Sequence, residues 1–563
     1  MTDHTTLLTY LADASARYDA DLSLLGTRWK GPGYHSLVPA GEWVHPTRDS
    51  LEYALALLIE GSPANVEQAQ AIIWRILSLQ DTDPTSPTYG IWSWLYEEPL
   101  EAMAPPDWNW ADFLGALLCH IWIEHRDRIS DKLADDVRVG LRHAAWSIFR
   151  RNVQPDYTNI AVMGAAVTGI VGDVLDEPHL LFYARQRLNN VLSFVRSNGG
   201  LTEYNSPTYT PVALFEIERI LQLSQDDPLC ETAEALRQIV WETIATHYHP
   251  GTAQWAGPHS RTYADYINGF VAAQIAQRTG VPIPLHPRAD QSVSHFSAVD
   301  SIPCPVEWVP HFDRLPQETV FARTSFTRAQ TVRNRQYRDV VGTTWMVVDA
   351  TLASINYDSL WTQRRPLLAY WRTADDPAVV LRARFLRDGQ DFASAGIMNA
   401  QDHSRLLSMF SFVADMGDYH ISLDKPADGL FHAQDLRVRY ELTGTGVSGQ
   451  QLDDATYELR AGDWRAVIHT APAQYDGQPV QWRLDQTDGQ VTLDAILYSG
   501  DTLPLLLSDR ATFKLAVGLE LLPHDRPNYP ESPTLKTTAD QVQALWAGTG
   551  LQLHAPIGLL PRA

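Results

Sequence analysis

The chain has 563 residues, 45% of them hydrophobic and 20% charged, which is enough apolar material for sizeable cores and argues against a disordered chain. Its 44 Lys and Arg stand against 67 Asp and Glu, a net charge of −23 that argues against nonspecific binding to nucleic acid or to a membrane surface. Three widely spaced cysteines, Cys119, Cys230 and Cys304, give neither a disulfide framework nor zinc-ligand spacing, and no apolar run reaches the roughly 20 residues that span a bilayer.

Residues 1–6 lack the basic start and apolar core of a signal peptide. The expectation is a cytoplasmic protein, or a secreted one if a signal has been removed. Apolar residues at helical spacing then predict helices at about 3–18, 48–60, 64–79, 108–126, 130–150, 158–173, 178–196, 209–224, 228–247 and 263–279. Asn159, or Thr158 beside it, is a candidate cap for the sixth. Helices in such number, without a fixed-period repeat, are the material of an α/α toroid rather than a solenoid.

Character changes near 280–292, where Gly280, Pro282, Pro284 and Pro287 read as a linker. Short β-branched or alternating runs follow at 344–348, 436–440, 457–460 and 491–496, and Asp-Gly pairs at 388–389, 476–477 and 488–489 mark hairpin turns. The predicted architecture is α+β: a helical domain over 1–285 and an antiparallel β-sandwich, or stacked β-sheets, over 286–563.

Four segments of the helical half concentrate polar and aromatic residues. Trp92, Trp94, Trp108 and Trp110 offer flat faces suited to sugar rings, or alternatively pack helix ends. Asn159 can cap its helix or point into a cavity. Glu203, Tyr204, Asn205 and Tyr209 follow a Gly199-Gly200 turn and sit at a helix mouth; a tyrosine acts as a base only where neighbours stabilise phenolate. His259 and Arg261, two apart in an extended loop, share a face, and Tyr263 follows them; an imidazole transfers protons near neutrality and a guanidinium suits a carboxylate.

The order of helical and β halves, the Asn159 helix start, the Gly199-Gly200-x-x-Glu203-x-x-x-x-x-Tyr209 segment and the later His259 loop resemble the heparinase II/III-like and alginate-lyase-like polysaccharide lyases. The resemblance implies an incomplete α/α toroid followed by antiparallel β-sheets, and β-elimination at a uronic acid. It gives Asn159 the role of neutralising the substrate carboxylate, Tyr209 that of general acid or acid/base, and His259 that of base or charge partner, with Glu203 orienting its neighbours. Arg261, Tyr204, Asn205, Tyr263 and the four tryptophans are the expected substrate contacts. Several relatives carry His directly after the neutralising Asn; here that position is Ile160, which leaves the uronate and its stereochemistry open and admits a rhamnose–glucuronate linkage.

The expected partner is an acidic oligosaccharide or polysaccharide, with no nucleic acid and no membrane; a homodimer is one option. No cofactor is expected. His295, His403, His420 and His432 are too scattered for a metal site. In the β half, Asn356, Tyr357, Gln363, Arg364 and Arg365 read as strand and turn surface rather than as cleft residues. Two alternatives remain: a glycoside hydrolase using a carboxylate pair from Glu97, Asp107, Asp112 and Glu203, and a carbohydrate-binding protein without catalysis.

Overall fold

A computed structural model describes residues 4–31, 35–291, 297–329, 337–413 and 430–561. Among them are ten α-helices: α1 (His4–Ser15), α2 (Thr47–Glu60), α3 (Pro63–Leu77), α4 (Trp110–His125), α5 (Asp131–Arg151), α6 (Thr158–Val174), α7 (Pro178–Asn198), α8 (Tyr209–Leu223), α9 (Asp227–His247) and α10 (Gly269–Thr279). His295 and His420 lie outside the described residues. No described helix is long and apolar enough to cross a membrane. The chain forms two compact units, one of residues 1–197, 210–240 and 292–303, the other of 198–209, 241–291 and 304–563.

In the first unit consecutive helices pack on each other, α2 on α3 and α4 on α5 and α6, the arrangement from which an α/α toroid is built. Boundaries follow local chemistry. Pro63 opens α3, Ser130 accepts the Leu133 amide to cap α5, and Asn152 ends α5 in the left-handed region at φ 45°. The central helix is α6, buried from Thr158 to Gly172. Glycine lets it sit that close: a Cβ on Gly172 would lie 2.3 Å from the Leu181 amide nitrogen. Cys119 is buried in α4, as its apolar context predicts.

The second unit carries a seven-stranded and a nine-stranded antiparallel sheet. In the larger one, strand Val379–Arg387 pairs with Leu367–Trp371 on one side and Leu430–Thr443 on the other. Residues alternate across it: Leu381, Ala383 and Phe385 enter a core shared with Leu406, Phe410, Leu459 and Leu519 of the smaller sheet. Arg382 and Arg384 therefore project from the other face, where Arg382 meets Asp265 at 3.2 Å. That face supports the loop Trp255–Asn268. Three of the predicted strands fall inside Leu430–Thr443, Thr456–Ala461 and Gln490–Leu506, and the one at 344–348 overruns Tyr337–Val347 by Val348, which is in the turn. Asp388 and Asp476 and their glycines all have positive φ, the two-residue turn that matches strand twist.

Candidate functional site

The second unit gathers three loops around Tyr209. The first, residues 198–208, leads into α8, and Ser206 Oγ receives the Tyr209 amide at 2.9 Å. Gly199 lets this loop approach Ser325 so closely that a Cβ would lie 2.1 Å from its carbonyl oxygen. The second loop carries His259 to Tyr263. The third, Trp361 to Pro366, connects two β-strands. The last two are zipped together: His259 and Arg365 exchange both backbone hydrogen bonds, at 3.2 and 2.9 Å, and the Thr262 amide donates to Gln363 O at 2.7 Å. The first joins through Ser260 N on Tyr204 O at 3.2 Å and Ser206 Oγ on Arg261 O at 2.6 Å.

Arg261 is the hub. Its Nη1 donates to Glu203 Oε1 at 3.0 Å, and its Nε and Nη2 both donate to Gln363 Oε1, at 3.1 and 2.9 Å. Clamped in this way, the guanidinium carbon stands 4.2 Å from the centre of the Tyr209 ring and 5.5 Å from that of Trp361. The Tyr209 hydroxyl meets that of Tyr263 at 2.7 Å, and Tyr263 is 57% exposed. Burial raises the Tyr209 pKa and outweighs the opposing pull of Arg261, so the phenol keeps its proton through the neutral range.

His259 is buried, with Nδ1 2.8 Å from the Asn205 carbonyl. A carbonyl can only accept, so Nδ1 carries the hydrogen and Nε2 keeps its lone pair. Burial lowers the imidazole pKa to about 3, and Arg365 adds to the effect. His259 is therefore neutral at ordinary pH. Behind it Asp265 receives Arg365 and Arg382; burial would raise its pKa, but these two cations outweigh burial and keep it low.

Two expected substrate contacts are instead structural. Tyr204 is 3% exposed, stacks on Phe326 with ring centres 4.2 Å apart, and donates to His247 Nε2 at 2.7 Å. Asn205 is buried, donating to the carbonyls of Ala256 and Pro258 at 2.8 and 3.0 Å while Trp255 Nε1 donates to it. Neither has a polar atom to spare for a ligand. Gln363, read from sequence as strand surface, is 4% exposed and holds Arg261. Arg364 and Arg365 bind Asp358 and Asp265. Tyr357 is buried, Asn356 is exposed and pairs through its side chain with the Val341 amide, and His403 and His432 are exposed.

The first unit holds the remaining candidates. Trp94 and Trp110 lie with ring centres 5.1 Å apart, and Trp29 and His35 meet Trp94 edge-on at 6.5 and 5.3 Å. All four are partly exposed, and Trp94 and Trp110 are oriented by Nε1 hydrogen bonds to Asp107 and Thr47. Trp29 and His35 lie in an irregular segment with no sequence pattern to mark them. Trp92 is no part of this shelf: it is fully buried and donates to Ile76 O, a core residue. Trp108 is partly exposed and donates to Pro87 O at 3.0 Å.

Asn159 does not cap its helix. The cap position is Tyr157, with no side-chain cap bond, and Asn159 lies inside the first turn, 4% exposed, its Oδ1 without a partner. Thr158 Oγ1 is likewise buried and unpartnered. Of the hydrolase candidates, Glu97 holds the His45 backbone and ring, and Asp107 receives Trp94 and the Asn109 amide. Asp112 is 1% exposed with Oδ1 unpartnered, and burial raises its pKa to about 7 against the opposing charge of Arg187. Among the described residues no cluster of three or more His, Cys, Asp or Glu could hold a metal ion.

A family model described as a domain of unknown function (DUF8769) matches residues 18–294. No curated protein matches the chain. Among solved structures it is similar to a heparinase III, at 9% identity and a TM-score of 0.45 over 99% of this chain and 91% of that one. It is also similar to heparan sulfate lyase HepC from Pedobacter heparinus, at 10% identity and a TM-score of 0.33 over 99% and 90%.

Proposed function

We propose that the protein is a polysaccharide or oligosaccharide lyase that cleaves a uronic-acid-containing glycan by β-elimination. The observation that carries this reading is that one loop cluster holds both a Tyr209 phenol that keeps its proton beneath Arg261 and a neutral His259 with a lone pair on Nε2. β-Elimination needs this pair of states. His259 Nε2 takes the C5 proton, the C5–H electrons form the C4=C5 double bond, and the C4–O bond breaks. Its electron pair goes to the leaving oxygen, which takes the Tyr209 proton. The imidazolium and the phenolate are then reset by transfer of one proton.

A buried imidazole with a pKa of about 3 is a weak base in the free protein. The substrate supplies what it lacks, because a uronate carboxylate brings the negative charge that supports imidazolium. The reading therefore favours an anionic sugar over a neutral one. Arg261, clamped by Glu203 and Gln363, holds the Tyr209 ring and stabilises the phenolate left after proton donation. For Asn159 the assignment rests on the sequence resemblance alone: its Nδ2, a hydrogen-bond donor, is given the task of steadying the charge that develops on the carboxylate.

The raised pKa of Asp112 favours a second reading, a glycoside hydrolase in which a protonated Asp112 is the general acid. Ultraviolet absorbance against a panel of uronic-acid glycans separates the two, since only elimination leaves the C4=C5 chromophore. A rise that is lost in Tyr209→Phe is the expected result. New reducing ends without a chromophore, lost in Asp112→Asn, would sink the lyase reading.

A further inference from the structure

The hydrogen bond that fixes the His259 tautomer comes from another loop. The Asn205 carbonyl oxygen lies 2.8 Å from Nδ1. Asn205 holds φ 48°, in the left-handed region, which Asn enters more readily than most residues with a Cβ. Its side chain meanwhile grips the backbone just ahead of the ring. Nδ2 donates to the Ala256 and Pro258 carbonyls at 2.8 and 3.0 Å, and Oδ1 receives Trp255 Nε1. The carbonyl between them, that of Gly257, receives Thr344 Oγ1 at 2.7 Å. The three successive carbonyls before His259 are thus each held by a side chain, two of them by Asn205.

Ser206, the next residue, receives the Tyr209 amide and donates to the Arg261 carbonyl, at 2.9 and 2.6 Å. The dipeptide Asn205-Ser206 therefore ties the proposed proton acceptor and the proposed proton donor to one stretch of backbone. An amide that served only to hold a loop would need to reach its carbonyls and nothing more. Asn205 also faces the ring, so displacing it frees the backbone before His259 and moves the acceptor away from Nδ1 at once. The other ionisable groups acting on the ring are Arg365, bound by Asp265, and His247, which burial keeps neutral.

We propose that Asn205 is a positioning residue for His259, holding the imidazole as the Nδ1–H tautomer so that Nε2 is the nitrogen left to take a proton. The proposal rests on the lyase reading only for the identity of that proton. Its test therefore reads the ring before any reaction. The full chain, labelled with nitrogen-15 in its histidine rings and assigned with the help of His259→Gln, is expected to show His259 as a single Nδ1–H tautomer from about pH 5 to 8.

Asn205→Gly keeps the left-handed backbone accessible and removes the amide. It is expected to show Nε2–H in roughly a third or more of the His259 rings and to lower kcat about tenfold with KM nearly unchanged. An inflection near pH 6.5 is expected in its kcat/KM, as the ring is released towards water. Thr344→Val is the control: it frees the middle carbonyl but leaves every Asn205 contact, so its thermal midpoint falls while tautomer and pH profile stay as in the wild type. A wild-type ring protonated on Nε2 overturns the proposal without any variant. So does a folded Asn205→Gly with the wild-type tautomer, and so does a Thr344→Val that shifts the tautomer as far as Asn205→Gly. A tautomer shifted by Asn205→Gly in a chain that eliminates nothing upholds the positioning role and removes only the catalytic reading.

Discussion

In the first unit Asp112, Thr158 and Asn159 bury oxygen atoms that meet no partner, whereas in the second Arg261 commits Nη1 to Glu203 and Nε and Nη2 to one oxygen of Gln363. The two regions hold charge in opposite ways as well. Burial makes Asp112 a carboxyl that keeps its proton up to about pH 7, and makes His259 an imidazole that refuses one down to about pH 3. Around Asp112 and Asn159 buried oxygens await a partner, while the Arg261 guanidinium is fixed in advance, even with Thr202 Oγ1 and Ser260 Oγ buried unpartnered in the neighbouring loops. Preorganised groups stabilise developing charge without rearranging at the moment of reaction, while unpartnered ones report where a ligand atom would be welcome.

The sharpest way to break this comparison is at the assembled end. Tyr209→Phe removes the transferable proton and keeps the ring under Arg261, so the elimination rate is expected to fall by about 10²–10⁴-fold with little change in thermal midpoint. A fall under threefold would mean that the phenol is only packing. Gln363→Ala frees two of the Arg261 nitrogens; the expected loss is about tenfold in kcat with KM nearly unchanged, because the residue acts through the guanidinium.

Asn159→Ala tests the unfinished end. The expected result is about a tenfold loss in kcat/KM with stability kept or raised, since a buried amide oxygen with no partner costs free energy in the folded chain. A large drop in thermal midpoint would show that Asn159 holds the helix rather than a ligand.

Legibility followed the same divide. Helical spacing placed the ten helices within a few residues, except that α10 starts at Gly269 rather than near 263, because residues 263–268 continue the loop that ends in the Asn268 cap. The Asp-Gly turns were legible because their backbone demands are local. The Arg261 clamp was not: Gln363 is 102 residues away, and the backbone pairing of His259 with Arg365 and of Thr262 with Gln363 brings it there. Trp92 and Trp94 are two apart in a tryptophan-rich run, yet one is core and one is shelf, a distinction made by burial and invisible to composition. Asn159 read as a cap because Asn so often is one, and nothing in the sequence shows that Tyr157 takes the position.

The pH dependence of stability gives the smallest effects and separates the two units by sign. The Asp112 pKa is raised on folding, from 3.8 to about 7, so its contribution is greatest below pH 4 and declines as pH rises to about 7. The His259 pKa is lowered on folding, from 6.5 to about 3, so its contribution is present above pH 6.5 and is lost as pH falls towards 3. Chemical denaturation between pH 4 and 8 should show Asp112→Asn gaining on the wild type as pH rises, by on the order of a few kcal/mol at most. His259→Gln should gain as pH falls. In the same range kcat/KM, which follows free-protein ionisation, is expected to stay flat between about pH 5 and 8, because neither His259 nor Tyr209 titrates there. An inflection near 6.5 would show that the imidazole is not held as described.

The contact between Tyr209 and Tyr263 bears on turnover rather than on the chemical step. A half-buried donor that has given up its proton waits for that proton to be replaced. Tyr263 has its hydroxyl against that donor and more than half of its surface in water, so a two-oxygen relay leads from bulk solvent to the Tyr209 phenol. Its loss in Tyr263→Phe would leave the first turnover intact and slow every later one, a burst followed by a reduced steady rate, with a solvent isotope effect in the second phase.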